Sequence, residues 1–392
     1  MSAPRRTKSA VSETEAGGLY APALENLQAA LNAWIAAGRI AGAVVLVERH
    51  GVTGLFEALG AQDPARGVAM RKDSIFRIYS MTKPIVSVAL MQLAERGQVL
   101  LRDPVAKYLA EFAEAKVGLR RKTPKRPMTV QDLLRHTAGL TYEFHEPSAV
   151  RRRYTATKLY SRQRSNAEHV VALANLPLAH EPGSVWDYSR ATDVLGRLVE
   201  VLADAPLGDH LKAAVFDPLG MVDTGFSVPA DQHHRLAEPL ANPPDGVALV
   251  PVFDPRVPVP AQNGGGGLMS TAGDYARFVR MLANGGQLDG ARLLGRKTVE
   301  FMTADHLGPI PRANDLLPPG HGFGLGFAVK TALGEHTEPG SIGSYGWSGA
   351  AGTAFFVDPQ EAMFAIILTQ APGLLDDVRE LFRQSVYAAI ER

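Results

Sequence analysis

Ser80-Met81-Thr82-Lys83 is the tetrapeptide in this 392-residue chain whose residue types and spacing could do chemistry. It stands immediately before a mostly apolar run, PIVSVALMQLAER (Pro84 to Arg96), which reads as a helix ended by Gly97. If that helix begins near Ser80, Pro84 falls in or just after its first turn, where proline does least harm. Residues three apart share a helix face, so the serine hydroxyl and the lysine amine become neighbours. The unpaired N–H groups of a helix start favour an alkoxide at Ser80 and disfavour a protonated Lys83. Burial lowers a lysine further, which is how an amine becomes a base near neutral pH. A serine beside such a base is an activated nucleophile. Taken alone the pattern is weak, because Ser80 or Thr82 could simply cap the helix while Lys83 stays in water.

The elements that must position these residues follow from periodicity. Ala21 to Ala37 carries Leu24, Leu27, Ala30, Leu31 and Ile35 at helical spacing. Ala41 to Val47 (AGAVVLV) is a Val-rich strand, followed by a turn at His50-Gly51 and a second strand around Leu55. From 101 to about 300 the chain reads as helices and long loops, with helices at Val130–Arg135, Ala167–Ala174, Ala191–Ala203 and Ala272–Ala283. Pro239 to Gly267 is a long loop. Strands return at Phe323–Val329, Gly352–Val357 and Met363–Leu368, and Val378 to Ile390 closes the chain as an amphipathic helix. Strands at both ends with helices between them predict an α/β (α+β) sandwich with an antiparallel sheet and an inserted helical region. The expected division is a polar leader over 1–19, a sandwich from 20–100 and 200–392, and a helical region over 101–199, with the site in the cleft between them.

Composition removes several function classes. With no cysteine, disulfides, thiolate metal sites and cysteine nucleophiles are excluded. Lys+Arg 41 against Asp+Glu 40 leaves a net charge of +1, which gives no basic surplus for nucleic acid or an anionic membrane. The densest basic stretch, Lys116 to Arg126, reads as a solvated loop. No apolar run approaches the ~18 residues of a membrane span, and the polar first residues lack the apolar core of a secretory signal, so the expected location is the cytoplasm. Asp, Glu and His show no metal-ligand spacing, so neither metal nor cofactor is expected.

Further blocks accompany the first motif. These are LLRHTAGL (Leu133–Leu140), EPGSVWDYSRATDVLG (Glu181–Gly196), PLGMVDTGF (Pro218–Phe226), GGGGLMSTAGDYARF (Gly264–Phe278), GFGLGF (Gly322–Phe327) and YGWSGAAGT (Tyr345–Thr353). In this order the series resembles the class C β-lactamase and penicillin-binding-protein superfamily of serine hydrolases, and most of all its family VIII carboxylesterases. The resemblance runs from about residue 20 to the C-terminus and implies a β-lactamase-like fold. It makes Ser80 the nucleophile and Lys83 its partner, and it sets the second-motif tyrosine on Tyr188, as a general acid/base sharing a proton with the lysine. A neighbouring lysine ammonium would pull a phenol pKa down. The third motif falls on Trp347-Ser348-Gly349 as substrate-binding residues, and the oxyanion hole on the backbone N–H groups of Ser80 and Ala350.

Two departures narrow the expected substrate. Where the lactamase pattern Y-x-N has asparagine, this chain has Arg190, which cannot accept a hydrogen bond. Where K-T-G has a cation, it has Trp347. Losing the cation and gaining an aromatic wall points to uncharged, apolar esters; the expected small-molecule partner is a short-chain carboxylic ester, and the expected state is a monomer or small homo-oligomer. A β-lactamase, a D-amino-acid peptidase, an acyltransferase on the same site, and a non-catalytic binding protein are the alternatives. His136 reads as structural, because Lys83 and Tyr188 already supply proton transfer. Gly264–Gly267 lacks the setting of a phosphate loop and reads as a turn where backbones pass closely. The sequence holds no G-x-S-x-G elbow; Gly346-Trp347-Ser348-Gly349-Ala350 ends in alanine.

Overall fold

In the computed structural model, the described residues are 17–241 and 252–391, so most of the expected leader and part of the Pro239 to Gly267 loop lie outside them. The N-terminal segment supplies β1 (Gly42–Arg49), β2 (Val52–Asp63) and β3 (Val68–Ala69). Two short strands, β4 (Phe76–Arg77) and β5 (Met269–Ser270), pair beside the first motif, and β6 (Gln287–Leu288) pairs with β7 (Ala291–Arg292) as a hairpin. The C-terminal part supplies β8 (His321–Phe323), β9 (Ala328–Lys330), β10 (Tyr345–Gly349), β11 (Thr353–Asp358) and β12 (Met363–Thr369). Together they make an eight-stranded antiparallel sheet in the order β3-β2-β1-β12-β11-β10-β9-β8. The two ends of the chain meet at β1 and β12, where Val45 lies opposite Ile367.

Every residue of β1 and β12 is buried, because the sheet is covered on both faces. Alternation sorts their side chains: Ala43, Val45, Val47, Ala365 and Ile367 face one layer, while Val44, Leu46, Phe364, Ile366 and Leu368 face the other. This two-sided burial explains why both strands read as continuous apolar runs. The first layer holds the terminal helices α1 (Ala21–Ala36) and α8 (Leu375–Tyr387), which offer Leu24, Leu27 and Leu31, and Val378, Phe382 and Val386. Leu19 is fully buried and bridges Ile390, so the two chain ends are tied together.

The second face is covered by helices from between the two strand-bearing ends of the chain. The helices that matter here are α2 (Thr82–Glu95), α3 (Val130–Leu134), α4 (Ala149–Thr157), α5 (Asn166–Ala174), α6 (Ala191–Ala203) and α7 (Ala272–Ala283). Helix α2 is buried from Thr82 to Leu93, as an almost wholly apolar helix must be. Thr129 caps α3 and Ser165 caps α5, each in a reciprocal capping box. Helix α7 lies on β1 and β12 and ties to the sheet through Arg280 and Glu48, 2.7 Å apart.

Two strand expectations change. Phe323–Val329 is not one strand but the β8–β9 hairpin, reversed over Gly324–Phe327. Gly326 has φ +100°, and a Cβ on it would meet Ser87 Oγ at 2.5 Å, so the turn is glycine-dependent and pressed onto α2. Tyr345–Gly349, noted in the sequence only as a motif, is an interior strand between β9 and β11. Its two glycines hide it from a propensity reading.

Candidate active site

Ser80 sits in a 3-10 turn, Tyr79–Met81, that runs directly into α2. Tyr79 has φ +42°, which costs a non-glycine residue roughly 1–2 kcal/mol and holds the turn in a form the helix alone would not adopt. Surrounding hydrogen bonds hold it there. The Ile78 N–H donates to Leu268 O at 3.1 Å, the Leu268 N–H to Thr82 Oγ1 at 3.1 Å, and Tyr275 Oη to Met81 O at 3.0 Å. Strand β10 closes the other side. A Cβ on Gly349 would lie 2.3 Å from Ile78 O, so only glycine lets the end of the strand, and Ala350 after it, approach the Ser80 turn.

Lys83, one turn on, is 1% exposed. Its Nζ contacts Ser80 Oγ at 3.1 Å, Tyr142 Oη at 3.2 Å and Gly265 O at 2.6 Å, and lies 4.5 Å from the centre of the Tyr188 ring. Burial lowers its pKa to about 7; the Asp193 carboxylate opposes this and Arg190 assists it. The lysine is therefore poised between amine and ammonium.

Tyr188 is buried beside the same group, with its ring 5.2 Å from Trp347 and 5.3 Å from Tyr142. The Trp347 indole Nε1–H donates to Tyr188 Oη at 3.1 Å. Burial pushes the Tyr188 phenol up, against the Ser80 hydroxyl and the indole, which pull it down. The expected lowering of this phenol by a lysine ammonium is thus reversed: desolvation dominates, and the neighbouring lysine is itself held near neutrality. Burial holds Tyr188 toward the neutral phenol rather than the phenolate.

The sequence-predicted residues divide. Ser80, Lys83, Tyr188 and Trp347 come together, and Gly349 and Ala350 lie at the end of β10 against the Ser80 turn. Trp347 is both half-buried wall and hydrogen-bond donor, packing edge-on to Phe323 at 5.3 Å. Ser348 pairs across the strand with Ala354 and alternates with Trp347 along β10; both residues line a recess with Leu316, Pro318, Arg379 and Arg383. His136 is buried, accepts the Ser189 N–H at Nδ1 (3.3 Å), and packs its ring 4.9 Å from that of Tyr188. Its pKa is pushed well below the usual value, by burial first and then by Lys83, so it braces Tyr188 as a neutral ring. Arg190 does not reach Lys83 or Ser80 through any hydrogen bond; it is clamped by Glu143 and by Asp193.

Three contributors escape the sequence reading: Tyr142, Asp193 and the carbonyl of Gly265. Tyr142 stands two residues beyond the LLRHTAGL block, and Asp193 sits one helical turn after Arg190. Gly265 lies in the glycine run, which is indeed a close passage of backbones. The run turns through Gly266 N–H to Asn263 O, and a Cβ on Gly264 would strike Thr192 O at 2.5 Å. Among the described residues no cluster of His, Asp and Glu could hold a metal ion, and no helix is long and apolar enough to cross a membrane.

A model of the Beta-lactamase family matches residues 24–389. The chain is 37% identical over 363 residues to Protein Rv1367c of Mycobacterium tuberculosis, covering 88% of this chain and 90% of that protein. It is 32% identical over 372 residues to Esterase EstB of Burkholderia gladioli, covering 89% and 91%. Among solved structures, EstCE1, described as a hydrolase with promiscuous acyltransferase activity, superposes with a TM-score of 0.80 at 27% identity, covering 94% of this chain and 99% of that one. The chain belongs to the Beta-lactamase family, as a serine-hydrolase-type enzyme related to the esterases and acyltransferases that share its fold.

Proposed function

We propose that this enzyme is a carboxylesterase that hydrolyses short-chain, uncharged esters through an acyl-enzyme on Ser80. The observation that carries the reading is a buried lysine, held to about 7, whose Nζ lies 3.1 Å from Ser80 Oγ. In its neutral form Lys83 takes the Ser80 proton as Oγ attacks the ester carbonyl. The tetrahedral oxyanion is received by the backbone N–H groups of Ser80 and Ala350. The C–O bond to the alcohol then breaks, and the leaving oxygen takes a proton from Tyr188 Oη, which Lys83 replaces with the one it holds. Because an indole N–H can only donate, Tyr188 Oη accepts from Trp347 and keeps its own proton free for this transfer. Water repeats the sequence in reverse and releases the acid.

The ester preference rests on Trp347, which puts an aromatic wall where the lactamase motif has a cation, and on the likeness to a protein named an esterase. Trp347→Phe keeps the wall and removes the donor. Losing one neutral hydrogen bond of about 1 kcal/mol predicts a kcat about fivefold lower with KM for p-nitrophenyl butyrate little changed. Steady-state kinetics of the two proteins check this.

A second reading, acyl transfer to an alcohol, is favoured by the EstCE1 likeness. The deciding experiment compares turnover of p-nitrophenyl acetate, butyrate and octanoate with a chromogenic cephalosporin, then repeats the butyrate assay with added butanol. Short esters are expected to turn over fastest and to give mainly butyric acid. Faster cephalosporin turnover would move the enzyme to the lactamase side, and butyl butyrate as the main product would make it an acyltransferase.

A further inference from the structure

We propose that Asp193, anchored by Arg190 and Glu143, is the positioning residue that aims the Lys83 amine at Ser80 through the Gly265 backbone. This rests on the reading of Lys83 as the base. A neutral amine has two N–H bonds and one lone pair, and only the lone pair can receive the serine proton. Of the three groups around Nζ, Gly265 O can only accept. It is also the nearest, at 2.6 Å against 3.1 Å for Ser80 Oγ and 3.2 Å for Tyr142 Oη. That carbonyl therefore fixes one N–H and turns the rest of the amine toward the hydroxyls.

What fixes Gly265 is Asp193. The Gly265 N–H donates to Asp193 Oδ1 at 2.9 Å, so one glycine is held by its nitrogen to the carboxylate and by its oxygen to the lysine. A Cβ on Gly265 would lie 2.8 Å from Asp193 Oδ1 and 3.0 Å from Tyr142 Oη, so any other residue there would have to push the carboxylate out of its place. Asp193 Oδ2 is held by Arg190 Nη1 at 3.3 Å, while Arg190 Nε donates to Glu143 Oε2 at 3.0 Å and Nη2 to Glu143 Oε1. Arg190 and Asp193 are each 5% exposed. The arginine at the third place of the tyrosine motif thus serves the loop behind the lysine.

The charges facing Lys83 are Asp193 and Arg190, both from the start of α6, with Glu143 behind the arginine; the neutral groups are Ser80, Tyr142, Tyr188 and His136. One cation shared by two carboxylates leaves a net negative charge beside the amine. Removing Asp193 therefore favours the neutral lysine, and removing Arg190 favours the ammonium. A residue that only held the fold together would not move a titration in opposite directions.

The test is the pH profile of kcat/KM for p-nitrophenyl butyrate in wild type, Asp193→Asn, Asp193→Ala and Arg190→Gln. Sites competent to react are counted with a Ser80-directed phosphonate. The acid limb is expected to move down by about one pH unit in both Asp193 variants and up by a similar amount in Arg190→Gln. Asn keeps an acceptor for the Gly265 N–H, so Asp193→Asn is expected to retain a plateau kcat at least about tenfold above Asp193→Ala. An unmoved limb in Asp193→Asn and Arg190→Gln, with sites still titrating, would overturn the proposal. So would equal plateaus in the two Asp193 variants. If Asp193→Ala does not fold, the limb positions of the other two still decide. A limb that persists in Lys83→Met would instead sink the underlying reading of Lys83 as base.

Discussion

Ser80→Ala is expected to lower kcat for p-nitrophenyl butyrate by at least about 10⁴-fold while leaving the folded protein intact. The proposed acyl-enzyme forms only on Oγ. Without it the remaining groups can at best assist direct attack by water on an ester that is bound but not covalently held. The turn itself does not need the hydroxyl. The hydrogen bonds that pin it run through Ile78 N and O, Met81 O and Thr82 Oγ1; of the partners that lose a contact, Lys83 keeps Gly265 O and Tyr142 Oη, and Tyr188 keeps the Trp347 N–H. A thermal melt close to wild type, together with loss of phosphonate labelling, is the expected signature. Retention of more than a few per cent of the activity would remove Ser80 as the nucleophile.

Lys83→Met is expected to cost roughly 10³-fold or more in kcat and to erase the acid limb of the pH profile. The wild-type limb follows from burial. Desolvation lowers the lysine to about 7, so below that pH the amine is protonated, cannot take the serine proton, and activity falls about tenfold per pH unit. Above it the amine is free and the profile levels. The same shift sets a stability slope. Between about 7 and 10.5 an unfolded chain binds a proton at this lysine that the native state does not, so native stability rises with pH across that window. Methionine has similar length and no charge to desolvate, so the variant should lack this slope and melt no lower than wild type near neutral pH. Melting curves from pH 6 to 10 for both proteins measure it. A limb near 7 surviving in Lys83→Met would assign the titration to another group.

Much of the scaffold is local and can be read along the chain. Helix α6 falls on Ala191–Ala203 and α7 on Ala272–Ala283, as periodicity predicts, because their apolar faces are written at 3.6-residue spacing. The approach of Ser80 and Lys83 is equally local: three residues along a helix start put the two groups on one face, and Pro84 is tolerated at the third helical position. The antiparallel sheet built from both chain ends also follows from the pattern, since strands fall at both ends of the chain with helices between them.

What tertiary structure decided is the surroundings of that pair. Lys83 meets Tyr142 from 59 residues away and Gly265 O from 182, and no periodicity links positions so far apart. The glycine run can supply that carbonyl only because α6 is packed closely enough to exclude a Cβ at Gly264 and Gly265. The neutral state of Tyr188 and the place of Arg190 belong to the same class. Residue type sets an ordinary pKa and a formal charge, but desolvation and the nearest partner set the values that act, and both exist only once the chain has closed around them.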